Sequence, residues 1–190
     1  LQKKRNKVNK SILKLAIPNI ISNITIPLLG LVDMILMGHL GSEVYIGAIA
    51  LGGTIFSVLY SFFSFLRAGT TGFTAQSLGK GNNIEIIYSL YRSVIIGIPI
   101  FTLILVFQVP IAKLSTLLLD GSEEVKALAI QYFYVRIWAA PANILLYCLN
   151  GWFVGMQNTK IPMFIAILIN ICHIIFKIFM SIYMIFSNIQ

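Results

Sequence analysis

From Val44 to Leu66 the chain carries no charged side chain. A stretch of that length, wound as an α-helix, crosses the roughly 30 Å of hydrocarbon in a bilayer. Four further stretches are of the same kind. The apolar runs predict spans at about Ser11–Met37, Val44–Gln76, Ser93–Ala112, Ala127–Gly155 and Ile161–Phe186. Each is too long, and too little alternating, to be a strand of a membrane β-barrel. The fold class predicted is therefore an all-α integral membrane protein, a polytopic helical bundle of about five transmembrane helices. Composition agrees: 58% of residues are hydrophobic and 11% charged, and the mean hydropathy is +0.89. A soluble domain carries about a quarter charged residues.

The net charge of +8 does not point to nucleic acid, because of where the charge lies. Six of the fourteen basic residues lie in the first fourteen positions, at Lys3, Lys4, Arg5, Lys7, Lys10 and, near the start of the first apolar run, Lys14. Lys80, Arg92 and Lys160 fall in the links after the second and fourth spans. Lys113 and Lys126 lie on the other side, with Glu43, Asp120, Glu123 and Glu124. Basic short loops mark the cytoplasmic face. The expectation is a basic cytoplasmic tail over residues 1–10, basic links on the same side, and the Asp120–Glu124 loop outside. The apolar run after the tail is too long for a cleaved signal peptide and no small-residue cleavage site follows it.

Cys148 and Cys172 both fall within apolar runs and read as small buried hydrophobes, not as ligands or redox groups. Gly79-Lys80-Gly81 lacks the spacing of a phosphate-binding loop, and H-E-x-x-H, C-x-x-C and G-x-S-x-G are absent from the sequence. His39 lies at a span end. No enzyme activity, cofactor or metal site is expected.

Polar residues at membrane depth are costly, so they face the bundle interior or a wet cavity. At about 100° per residue, Asn19, Ser22, Asn23, Gly30 and Asp33 fall within about 100° of arc on the first span. Tyr132, Arg136, Asn143, Tyr147 and Asn150 fall within about 60° on the fourth, and Asn170, His173, Lys177 and Ser181 within about 80° on the fifth. Such stripes serve either as hydrogen-bonding seams between helices or as walls of a shared cavity. The ionisable members Asp33, Arg136, His173 and Lys177 favour the cavity. Asp33 is the expected coupling residue, a carboxylate that exchanges a proton or cation with a substrate. Pro27, six residues earlier, withdraws a helical N–H from the carbonyl of Asn23 and is the expected hinge. Gly53, Ser57 and Ser61, at four-residue spacing, read as a helix-packing stripe.

The segments Ile17-Pro18, Pro27-Leu28-Leu29-Gly30-Leu31-Val32-Asp33 and Gly38-His39-Leu40-Gly41 resemble the start of the MATE (multidrug and toxic compound extrusion) transporters, closest to their DinF-like branch. Phe65-Leu66-Arg67-Ala68-Gly69-Thr70-Thr71-Gly72 with Ala75-Gln76 and Gly79 resembles the second helix of that branch. Ala140-Pro141-Ala142 and Gly151-Trp152-Phe153-Val154-Gly155-Met156-Gln157-Asn158-Thr159 resemble the fourth helix and the loop after it. The resemblance runs from about Ile12 to Lys177.

It implies a fold of twelve helices in two six-helix lobes, exchanging H+ or Na+ for cationic or amphiphilic compounds across the plasma (inner) membrane. On that template residues 11–190 are an N-terminal lobe stopping before the sixth helix, the C-terminal lobe is missing, and the family's first-helix carboxylate falls on Asp33. Similar proteins often carry N-I-x-N-I-x-x-D in the fifth helix. Here the stretch is Asn170-Ile171-Cys172-His173-Ile174-Ile175-Phe176-Lys177. A lysine ammonium repels Na+, so H+ coupling is expected over Na+, with Lys177 and His173 as modulators and Lys177 in the same cavity as Asp33. The resemblance also admits a lipid-linked precursor flippase of the wider superfamily, and a non-transporting truncated remnant.

Overall fold

A computed structural model describes residue 9, residues 12–13, 15–18, 20–21 and 24, and residues 43–187, with side chains in the last helix followed as far as Ile175. Every described residue before Gly41 is helical. The helices that follow are α1 (Glu43–Ser61), α2 (Ser64–Gly79), α3 (Asn83–Val106), α4 (Gln108–Leu118), α5 (Glu123–Arg136), a 3-10 turn (Ile137–Ala139), α6 (Ala140–Gly155) and α7 (Lys160–Ser187). No strand occurs among the described residues. Among the described residues three helical stretches, Glu43–Gly79, Asn83–Val106 and Glu123–Gly155, are long and apolar enough to cross a membrane, and Lys160–Ile175 is a shorter apolar helix. The chain is a helical membrane protein.

The helices outrun the apolar stretches because their ends are set by caps. Asn82 accepts the Glu85 amide at 3.1 Å and starts α3 ten residues before Ser93. Ser122 accepts the Val125 amide, and Glu123 and Glu124 occupy the positive first turn of α5. Gly81, at φ +68°, makes the left-handed turn between α2 and α3.

The interruptions also have local causes. Pro110 has no N–H to offer the Val106 carbonyl, and the chain breaks at Phe107 between α3 and α4. Pro141 stands in the same relation to Ile137, where the helix tightens to a 3-10 turn and the Ala140 amide bonds to Ile137 instead. At Phe62–Phe63 no proline is involved. There the Ser61 hydroxyl donates to the Val58 carbonyl at 2.7 Å, and the Phe63 and Leu66 amides bond three residues back.

The chain divides into two compact units, Ser42–Met156 and Leu1–Gly41 with Gln157–Gln190. In the larger unit, α1 packs on α5, while α2, α3 and α6 pack on one another. Ile55, Phe56, Leu66, Ile104, Phe133, Ile137, Ile144 and Cys148 form its core. The α2–α6 seam is close enough to exclude side chains. A Cβ on Gly151 would lie 2.6 Å from the Arg67 carbonyl oxygen, and one on Gly155 would lie 2.8 Å from that of Thr71. Thr71 donates across the seam to the Gly151 carbonyl at 3.1 Å, and the Trp152 indole donates to the Ile86 carbonyl of α3 at 2.8 Å. The Thr74 and Ser89 hydroxyls meet at 2.7 Å between α2 and α3.

Two sequence expectations are corrected here. A Cβ on Gly53 would meet nothing within 4 Å, and Ser57 and Ser61 are exposed. The packing face of α1 is instead Ala48, Gly52, Ile55 and Phe56, where Gly52 leaves room for the Tyr132 ring and Ile55 and Phe56 fill the core. Cys148 is buried, with its thiol 3.3 Å from the Ser93 carbonyl, but Cys172 is exposed. In the smaller unit, α7 carries Asn170 half-buried and His173 exposed, and the Thr159 hydroxyl donates to the Leu15 carbonyl at 3.2 Å.

Candidate functional site: a guanidinium in an aromatic frame

The described residue types that chemistry needs at membrane depth converge in the larger unit, where α1 and α5 meet the start of α6. Phe56 is the centre of the frame. Its ring stacks on Phe133 at 5.3 Å and on Tyr60 at 5.8 Å, and meets Tyr132 edge-on at 6.4 Å. Phe56 and Tyr60 lie one turn apart on α1, as Tyr132 and Arg136 do on α5, so each pair shares a helix face. Arg136 donates to the Tyr132 hydroxyl, and its guanidinium carbon sits 4.9 Å from the Phe56 centroid and 5.5 Å from that of Tyr132. Cation–π attraction of this kind contributes about 0.5–1 kcal/mol at an exposed site. Asn143, on α6, donates through its amide nitrogen to the Tyr60 hydroxyl at 3.3 Å and to the Ala139 carbonyl at 3.0 Å. Tyr147, one turn on, lies within electrostatic reach of Tyr60 and of Arg67 on α2.

Of the cavity candidates read from the sequence, Arg136, Asn143 and Tyr147 are thus brought around Tyr60. Asn150 is half-buried one turn below Tyr147 and no contact ties it to this group. The ideal-helix arc for the fourth span does not survive intact. Three residues at 3.0 per turn rotate α6 by about 60° relative to α5. The α6 half is joined to the frame by the Asn143–Tyr60 hydrogen bond. Asn19, Asn23, Pro27 and Asp33 lie outside the described residues, as do His39 and the side chain of Lys177. Asn170 and His173 belong to the other unit.

Sequence reasoning missed Tyr60 and Phe56. The available signal was a phenol at mid-span, four residues from a second aromatic ring. Tyr60 stands near the middle of the 37-residue stretch Glu43–Gly79, and Arg136 near the middle of the 33-residue stretch Glu123–Gly155. Among the described residues no group of three or more His, Cys, Asp and Glu side chains is placed to hold a metal ion. The two ion pairs found there, Arg92 with Glu85 and Lys126 with Glu123, both lie away from the frame. Among the described residues of the frame no nucleophile is paired with a base.

Comparison with known proteins fits this picture. The chain is 37% identical over 172 residues to DNA damage-inducible protein F of Escherichia coli, covering 90% of this chain and 38% of that protein. It is 29% identical over 162 residues to multidrug resistance protein MdtK of Pectobacterium atrosepticum, covering 83% and 35%. It is 25% identical over 138 residues to probable multidrug resistance protein NorM of Rhizobium meliloti, covering 71% and 28%. The chain therefore spans little more than a third of the length of the first of these relatives. The MatE family model matches residues 18–179. By that match, and by its membrane-spanning helices, the chain belongs to the MatE family.

Proposed function

We propose that this chain is part of a secondary active exporter that moves small cationic or amphiphilic molecules out across the inner membrane in exchange for protons, and that it transports without catalysing a covalent reaction. The carrying observation is a polar cluster, Tyr60, Tyr132, Arg136 and Asn143, held at mid-span in a MatE-family helical unit. Two of the relatives are named as multidrug resistance proteins, which supports efflux as the direction. In this reading residues 11–190 form one lobe of a larger bundle whose C-terminal lobe completes the path. Residues 1–10 are cytoplasmic, and the lobe touches lipid, substrate and H+ but no nucleic acid.

Asp33 is the proposed coupling carboxylate, Pro27 its hinge, and Asn19, Asn23, Asn170 and His173 line the same path. Lys177 is proposed to share the cavity with Asp33 and to disfavour Na+, since an unpaired charge at that depth costs several kcal/mol. The test is substrate-driven proton release from vesicles carrying the full-length protein. Asp33→Asn should abolish it at unchanged expression, and undiminished transport would remove Asp33 from the mechanism. Na+-stimulated transport lost in Asp33→Asn but unaffected by Lys177→Ala would overturn the role of Lys177. A cysteine placed at Gly81 should resist labelling from outside; external labelling would reverse the orientation.

A further inference from the structure

The hydrogen bonds around Arg136 have a direction. Asn143 donates to the Ala139 carbonyl, which can only accept, so the contacting atom is the amide nitrogen. The same nitrogen faces the Tyr60 hydroxyl, which must therefore accept. The Tyr132 hydroxyl accepts from Arg136. Both phenols have thus filled an acceptor position, and neither donates to a described residue. Their protons, with the remaining N–H groups of Arg136, are donors with no acceptor among the described residues. Arg136 is exposed within its unit, and among the described residues no carboxylate pairs with it. A cation without a counter-charge inside a membrane-spanning helix is costly, and an anion relieves the cost. The walls beside it are the rings of Phe56, Tyr60 and Tyr132, suited to an apolar or aromatic body.

We infer that Arg136, with the Tyr60 and Tyr132 hydroxyls, forms a binding site for the anionic head of a soluble amphiphile, a carboxylate or sulfonate carried on an aromatic or apolar body. The inference rests on the transport reading and sharpens it. The ligand class taken at this site is anionic, and Arg136 repels a cationic ligand that approaches the same frame. Tyr132 positions the guanidinium as well as donating, so Tyr132→Phe frees Arg136 from its tether.

The experiment is equilibrium binding to the full-length protein in phosphatidylcholine nanodiscs, read by fluorescence anisotropy with fluorescein as the anion and ethidium as the cation. No ion gradient is present, so failure to transport and failure to bind are read separately. Arg136→Gln should raise the fluorescein Kd about tenfold or more, the loss expected for one charge-assisted hydrogen bond. Tyr60→Phe should raise it less, and ethidium binding should be unchanged or tighter in Arg136→Gln. Absence of fluorescein binding to the wild type, or an unchanged Kd in Arg136→Gln, overturns the site. Equal loss of both dyes in Arg136→Gln assigns the residue to structure and overturns it too. Phosphatidylglycerol added to the nanodiscs should leave the fluorescein Kd nearly unchanged. Displacement of the dye by that lipid, dependent on Arg136, would identify a bilayer lipid as the occupant and overturn the assignment to a soluble ligand.

Discussion

The two helix pairs of the larger unit are built on different principles. Between α2 and α6 the contact is backbone against backbone, with Gly151 and Gly155 admitting Arg67 and Thr71 where no Cβ fits. Between α1 and α5 it is ring against ring, with a guanidinium on the outer side. Gly52 shows the contrast. A Cβ there would lie 2.5 Å from Cδ1 of Tyr132, an obstacle made of a side chain that can turn, whereas the obstacles at Gly151 and Gly155 are the carbonyl oxygen of Arg67 and the Thr74 Cβ with the Thr71 carbonyl, all fixed by the main chain. The first seam fixes the helices. The second holds functional groups that have room to adjust.

Breaking the rigid seam should have the largest effect. Gly155→Leu drives a side chain into the Thr71 carbonyl and the Thr74 side chain, and should cost about 3 kcal/mol or more. Loss of the monodisperse peak in detergent and a strongly lowered Tm would show it. Gly52→Ala is expected to cost less, about 1–2 kcal/mol, because Tyr132 can swing aside. It should weaken fluorescein binding as well, which separates it from a purely structural change. Tyr60→Phe removes the acceptor for Asn143 and should lower stability by about 1 kcal/mol. Gly53→Ala, on the open face of α1, should stabilise by up to about 1 kcal/mol through helix propensity. A destabilisation by Gly53→Ala as large as that by Gly52→Ala would erase the distinction between the two faces.

The helical membrane class was legible because hydrocarbon thickness and backbone hydrogen bonding leave few alternatives to a long apolar helix. The family was legible from local motifs. Tyr132, Arg136, Asn143 and Tyr147 stood out in the sequence as polar residues at helical spacing; their partner Tyr60 did not. Which small residues pack was not legible. Gly52 and Gly53 are adjacent, and only the position of Tyr132 decides that the first is buried and the second open. The direction of the hydrogen bonds was equally out of reach, since it depends on the Asn143 side chain folding back onto the Ala139 carbonyl.

The α2–α6 seam also has a bearing on how the chain is made. Its halves are distant in sequence, with the Thr71 hydroxyl meeting the carbonyl of Gly151 80 residues later. At ribosomal speeds of about 5–20 residues per second, α2 waits roughly 4–16 seconds for its glycine partner. The contact available meanwhile is the nearby one to α3, where Thr74 and Ser89 are only 15 residues apart. The α2–α3 hairpin is thus the natural early unit of membrane insertion. Variants that weaken the Thr74–Ser89 contact should be most exposed to quality-control proteolysis in that interval, before the late helix closes over them.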